Sequence, residues 1–170
     1  MKFDKQLVTY DIETTLSCFL FGAKFYGDPT KHIFEISWRR DDKQQILNML
    51  SHLKTIDAHM VGYNNVSFDY PIIHELMVNP HAFHKGTSYE LAQKIIEGQK
   101  YGFSKETIGL YDRIIHQIDL MKIWHYDNEA KRTRLKDLEF NMRSPNVMDL
   151  PYDFRTHLSD QQIEDYRPIS

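Results

Sequence analysis

The stretch LVTYDIETT, residues 7–15, places two acidic side chains one residue apart in a run that otherwise favours a β-strand. The strand preference comes from its apolar residues, Leu7, Val8, Tyr10 and Ile12. Alternate side chains of a strand share a face, so Asp11 and Glu13 are expected to point the same way. Carboxylates that close repel each other unless a cation, a shared proton or open water separates their charges. The alternative is an edge strand with two solvated acids, which the apolar flanks disfavour.

The composition predicts one intracellular globular domain spanning residues 1–170. A chain of 170 residues with a hydrophobic fraction of 41% is the size and type of a single globular domain, and no apolar run is long enough to cross a membrane. The start, MKFDKQLVTY, lacks the apolar core of a signal peptide. Cys18 is the only cysteine, which excludes an internal disulfide and a multi-cysteine zinc site. The net charge of −3 is not that of a strong nonspecific DNA binder.

The first half of the chain predicts an α/β fold. Three strand-like runs in succession indicate an antiparallel meander. A helix, a short buried strand and a second helix follow, which requires a parallel crossover and therefore a mixed sheet flanked by helices. The predicted elements are strands at 6–14, 18–27, 32–40 and 58–65, and helices at 42–55 and 68–77.

The second half predicts further helices and one strand. The helix at its end begins with Ser159 as the expected capping residue. The predicted elements are helices at 88–98, 133–142 and 159–167 and a strand at 117–126, with loops at 81–86 and 98–109 and a surface connection at 143–153.

A third acid, Asp69, stands at the start of the helix predicted at 68–77, directly after a buried strand. The N-terminus of a helix stabilises an anion at that position. The alternative is that Ser67 or Asp69 only caps the free backbone amides of the helix, which is the ordinary role of such residues. Asp69 on its own leaves both interpretations open.

The two acidic segments together resemble a known family. DIETT at the end of the first strand, and Asn65-x-x-Phe68-Asp69 after the later one, are similar to the first two motifs of the DEDD superfamily of 3′-to-5′ exonucleases. The likeness is greatest to the proofreading domains of family B DNA polymerases and their stand-alone phage and bacterial relatives. It covers most of the chain in element order. It implies a ribonuclease H-like fold, in which a three-strand antiparallel meander and parallel strands form one mixed sheet flanked by helices.

The resemblance also implies an activity and a setting. The chain would hydrolyse phosphodiester bonds at single-stranded DNA 3′ ends, in the cytoplasm of a bacterial or phage-infected cell. A DNA polymerase or another replication protein would be its partner, and no membrane would be involved. Because contacts to the 2′-hydroxyl cannot be read from the sequence, an RNA exonuclease of the same fold is an alternative.

The resemblance assigns the catalytic and metal-binding roles to the three acids. Asp11 would bind both of two Mg²⁺ or Mn²⁺ ions, Glu13 would bind one and orient the attacking water, and Asp69 would hold the second. Two such ions roughly 4 Å apart activate a water and stabilise the leaving 3′-oxygen of an in-line displacement at phosphorus. Carboxylate oxygens are the ligands that these hard ions prefer.

The substrate contacts follow from the same likeness. Thr14, Asn65 and Phe68 would touch the single-stranded 3′ end, since hydroxyl and amide groups bond phosphate or sugar and an aromatic ring stacks on bases. The alternative for Phe68 is a core aromatic that packs at the helix start. Lys136, in the basic cluster at 131–136, matches a Leu-Lys pair of the relatives and would contact the nucleic-acid backbone. A solvated helix face is the alternative for this cluster.

The superfamily needs a fourth acid on its last helix, an Asp four residues after a Tyr or five after a His. Tyr166 is followed at that distance by Ser170, and His157 by Gln162, so neither pattern is met. We therefore expect either a truncated C-terminal helix or a catalytically impaired domain that binds DNA or assists a DNA polymerase. Three acids are candidates to substitute for the fourth ligand: Asp160, Asp165 and Asp119.

Overall fold

The computed structural model describes residues 5–100, 105–124 and 151–167. Within these ranges the chain is an α/β structure with one five-stranded sheet flanked by helices. The strands are β1 (Leu7–Thr14), β2 (Cys18–Phe25), β3 (His32–Ser37), β4 (His59–Gly62) and β5 (His116–Asp119). The helices are α1 (Lys43–Thr55), α2 (Asp69–Val78), α3 (Lys85–Lys100), α4 (Leu120–Trp124) and α5 (Asp160–Tyr166), with a 3₁₀ turn at Leu110–Asp112.

The sheet is mixed, with strand order β3-β2-β1-β4-β5. Strand β1 pairs antiparallel with β2 and parallel with β4, β2 pairs antiparallel with β3, and β4 pairs parallel with β5. The predicted meander and the predicted mixed sheet are confirmed. Because β1 lies in the middle, residues 7–14 are not an edge strand, and the edge-strand alternative is wrong.

Strand β1 alternates as the sequence predicts. Val8, Tyr10 and Ile12 are buried, whereas Asp11 is exposed and Glu13 half-buried on the opposite face. The buried side faces the main core, which α1, α2 and α3 complete with Ile46, Leu50, Leu53, Ile72, Ile73, Leu76, Ala92 and Ile95. The two acids therefore share one face of the central strand.

Helix α5 covers part of the other face of the sheet. Cys18 and Leu20 of β2 pack there against Leu158, Ile163 and Tyr166. The predicted cap is confirmed, because the Ser159 hydroxyl accepts a hydrogen bond from the Gln162 amide and the Gln162 side chain accepts one from the Ser159 amide. Helix α5 thus lies on the face that carries Asp11 and Glu13.

The strand predicted at 117–126 is wrong from Leu120 to Trp124, and its last two residues lie outside the described ranges. The chain turns into α4 at Leu120, because the Asp119 carboxylate accepts a hydrogen bond from the Met121 amide (3.0 Å) and so starts a helical turn. The loops predicted at 81–86 and 98–109 are too long, since α3 runs from Lys85 to Lys100. The helix predicted at 133–142 and most of the connection at 143–153 lie outside the described residues.

None of the helices in the described ranges has the length and apolar character that crossing a membrane requires.

Candidate metal and nucleic-acid site

Strand β1 and the start of α2 bring three acids together. Asp11 and Glu13 project from one face of β1, and Asp69 is the first residue of α2. The carboxyls of Asp11 and Asp69 lie close enough for each to influence the ionisation of the other, and the charge of Glu13 also acts on Asp69. The N-cap of α2 is Phe68, so Ser67 is not the cap of this helix. The capping interpretation of Asp69 stays open, because its own backbone amide contributes to lowering the pKa of its carboxyl.

The charges of these acids are mutually unfavourable. Burial raises the pKa of Asp69 well above its usual range, and the nearby charges of Asp11 and Glu13 raise it further. Asp11 is exposed on the sheet surface, yet protein atoms crowd its carboxyl, and this loss of hydration raises its pKa to about 6. Backbone and side-chain hydrogen bonds only partly oppose these shifts. The pair therefore favours a shared proton or a cation over two bare negative charges.

Asn65 lies in the interior beneath this site. It is fully buried, and its side-chain amide donates to the Tyr10 hydroxyl (3.2 Å) and to the Gln117 side-chain oxygen (3.0 Å). Its own side-chain oxygen finds no hydrogen-bond partner among the described residues. A Cβ on Gly62 would lie 2.7 Å from the Asn65 Cβ, so this packing requires glycine at position 62. The structure thus places Asn65 in a buried polar cluster, and its contact with nucleic acid stays a prediction.

Asp119 is the residue whose role sequence reasoning missed. The residue is only 6% exposed, so Asp119 does not face solvent at the end of β5. One carboxylate oxygen accepts from the amides of Asn64 (2.9 Å) and Met121 (3.0 Å), and the other accepts from the amide of Val66 (3.3 Å). The available signal is an acid that ends a buried strand in the stretch Gln117-Ile118-Asp119-Leu120.

An apolar cleft of about 250 Å³ opens beside the acids. Phe68 lies on one side of it, partly packed against the core, and Phe154 lines it from the segment before α5. The Leu16 amide donates to the Phe154 carbonyl (3.2 Å), and the Arg155 guanidinium lies 5.1 Å from the Phe154 ring centroid. The remaining lining residues are Ile12, Glu13, Thr14, Gln93 and Ile96. The cleft thus joins Thr14 and Phe68, both predicted to touch substrate, with Glu13.

The acids that could replace the fourth metal ligand on the last helix form other hydrogen bonds or are exposed to solvent. Asp165 accepts hydrogen bonds from the Tyr152 hydroxyl (2.7 Å) and the Gln161 amide (3.2 Å), and Asp160 is exposed at the start of α5. Tyr166 is fully buried, and its pKa is raised first by burial and then by the charge of Glu13, which places this ring near the acids. Ser170, Lys136 and the basic cluster at 131–136 lie outside the described residues.

Comparisons with known protein families, with curated proteins and with solved structures find no match for this chain. Within the described ranges, no group of three or more His, Cys, Asp or Glu side chains is arranged as a preformed metal site. The resemblance to DEDD exonucleases therefore stays a prediction from the sequence motifs.

Proposed function

We propose that this chain is a metal-dependent 3′-to-5′ exonuclease of ribonuclease H-like fold that acts on single-stranded DNA ends. One observation carries the proposal: the Asp11 and Asp69 carboxyls meet where β1 passes the start of α2, and both have raised pKa values. A fold has no need of two carboxyls in contact, whereas a cation site does. Glu13 on the same face adds a third oxygen donor.

The donor set suits a hard divalent cation. Carboxylate oxygens are the preferred ligands of Mg²⁺ and Mn²⁺, and the repulsion between Asp11 and Asp69 is what such an ion would relieve. Asp11 and Asp69 would hold the ions, with Glu13 as a further ligand. When bound, a pair of such ions activates water and stabilises the leaving oxygen at phosphorus.

The cleft suits an unpaired base at a strand end. Phe68 and Phe154 offer aromatic faces, and stacking of one base on such a ring contributes about 1–3 kcal/mol. The Thr14 hydroxyl can donate to a phosphate or sugar oxygen, and the Arg155 guanidinium adds a positive charge near the Phe154 ring. Because stacking reads no particular base, the cleft supports cleavage with little sequence preference.

Labelled oligonucleotides test the proposal. The chain is incubated with 5′-end-labelled single strands of DNA and of RNA, with Mn²⁺ or with EDTA, beside the Asp11→Ala variant. We expect a ladder shortened stepwise from the 3′ end of the DNA, dependent on metal and reduced by orders of magnitude in the variant. Glu97→Gln, which changes an exposed acid of α3, is the matched control and should behave as the parent.

Each outcome separates the alternatives. Laddering of RNA in preference to DNA would support the RNA exonuclease instead. Binding of DNA without any degradation, equal in the parent and in Asp11→Ala, would contradict the nuclease and support a binding or polymerase-accessory domain.

A further inference from the structure

Asp119 holds the turn that leads into α2. Its carboxylate accepts from the amides of Asn64 and Val66, which lie 55 and 53 residues earlier in the chain. These two amides belong to the segment between β4 and α2, and Asn64 there has a left-handed backbone with φ of 58°. Asparagine adopts this conformation more readily than other non-glycine residues, and a hydrogen bond from its amide stabilises it further. The buried carboxylate of Asp119 supplies that stabilisation.

This turn also fixes the start of α2. The Asn64 carbonyl accepts from the Ser67 amide (3.1 Å), and the Asn65 carbonyl accepts from the Tyr70 amide (2.8 Å). Asp69 lies between these bonded positions. Hydrogen bonds to Asp119 therefore fix the turn, and hydrogen bonds within the turn fix the residues on either side of Asp69.

We propose that Asp119 is a positioning residue, which places the Asp69 carboxyl against Asp11 and thereby sets how tightly the acid group holds a divalent cation. The proposal rests on the proposed function for the identity of the ligand. Asp119 itself is not assigned as a ligand, because three backbone amides already occupy its two oxygens.

The test uses the isosteric variant Asp119→Asn, which keeps the size of the side chain but loses one acceptor oxygen and the negative charge. Its matched control is Asp42→Asn. Asp42 is also a buried acid, and its carboxylate accepts a hydrogen bond from the backbone amide of Glu35 in edge strand β3 (3.0 Å). Both variants lose a buried carboxylate bonded to a backbone amide, but only the first touches the turn before α2.

Three readouts are taken on the full chain. Amide hydrogen exchange at Asn64 and Val66 is measured without metal, Mn²⁺ affinity is measured by calorimetric titration, and nuclease rate is measured as a function of Mn²⁺ concentration. In Asp119→Asn we expect faster exchange at both amides, an Mn²⁺ affinity lower by about 10-fold, and a rate that excess Mn²⁺ largely restores. In Asp42→Asn all three readouts should match the parent, whatever its loss of thermal stability.

The outcomes separate this inference from the proposed function. Unchanged exchange at Asn64 and Val66 in Asp119→Asn, or unchanged Mn²⁺ affinity beside a parent that binds the ion, would overturn the positioning role. A parent that binds no Mn²⁺ would contradict the proposed function, and the role of Asp119 as a determinant of metal affinity would fall with it. Faster exchange in Asp119→Asn would then show only that the carboxylate holds the turn.

Discussion

At the scale of residues, the central feature is a pair of carboxyls that oppose each other's ionisation. Asp69 is buried at the start of α2, and the neighbouring Asp11 has its pKa raised to about 6. In the metal-free chain this contact disfavours the folded state at neutral pH, because the unfolded chain separates the two charges. Binding of a cation would reverse the effect, since a ligand that binds only the folded state stabilises it.

The variant Asp69→Asn tests this at neutral pH. We expect its metal-free melting temperature to rise by about 3 °C, because the variant removes a buried charge and keeps the size of the side chain. Mn²⁺ should raise the melting temperature of the parent but not that of the variant. Glu97→Gln serves as the exposed-acid control, and a lower melting temperature for metal-free Asp69→Asn than for the parent would contradict the account.

The Asp69→Asn variant also isolates the pH dependence of the free energy of unfolding. A carboxyl whose pKa is raised in the folded state contributes stability below its unfolded pKa, and that stability is lost as pH rises through the folded pKa. For Asp11 this window runs from 3.8 to about 6, and for Asp69 it extends above its usual value. The free energy of unfolding of the parent minus that of Asp69→Asn, measured by urea titration, should therefore fall as pH rises across this window. A free-energy difference between parent and variant that rises with pH would contradict this prediction.

At the scale of elements, an ion-pair cluster fastens α5 to β3. Glu35 is fully buried and accepts from Arg39 (2.7 and 2.8 Å), from the Ser37 hydroxyl (2.6 Å) and from Arg167 (3.2 Å), while Arg39 also bonds Glu164 of α5. Burial alone would raise the pKa of Glu35, but the bonds and charges of these partners outweigh it and lower the pKa. The cluster holds α5 on the face that carries Glu13.

Removal of one cationic partner of Glu35 should lower the free energy of unfolding, because the buried carboxylate then keeps fewer compensating contacts. Arg39→Met leaves Glu35 with fewer partners in a buried position, and we expect a loss of about 3 kcal/mol in the free energy of unfolding at neutral pH. The double variant Glu35→Leu with Arg39→Met should be more stable than Arg39→Met alone, because the unpaired charge is gone. Urea titration of both proteins checks this, and equal stability of the two would show that the charge of Glu35 is not what the single variant exposes.

At the scale of the whole molecule, patterns local in sequence predicted most of the described fold. The alternation in residues 7–14 predicted β1, its buried face and the shared face of Asp11 and Glu13. The helical spacing of Ile46, Leu47, Leu50 and Leu53 predicted α1, and all of these except Leu47 are buried. What failed depended on contacts distant in sequence. The residues after Asp119 are strand-like, but the Asp119 carboxylate accepts from the Met121 amide and from the distant amides of Asn64 and Val66. The two distant bonds depend on packing that no local pattern encodes.

The residues of the candidate site were also predicted only in part from local sequence patterns. The acids were identifiable because their spacing on β1 and at α2 is a local signal. The inward bonding of Asn65 and the presence of Phe154 in the cleft depend on how β5 and the segment before α5 pack, which no local pattern encodes. The contribution of Lys136 stays a prediction.

The central claim is that Asp11, Glu13 and Asp69 form a divalent-cation site. Crystals of the chain soaked in Mn²⁺ test it most directly, through the anomalous scattering of the ion. We expect an anomalous peak in contact with the carboxylates of Asp11 and Asp69, and we expect no such peak in crystals of Asp69→Asn. A map with no peak at these residues under saturating Mn²⁺ would contradict it.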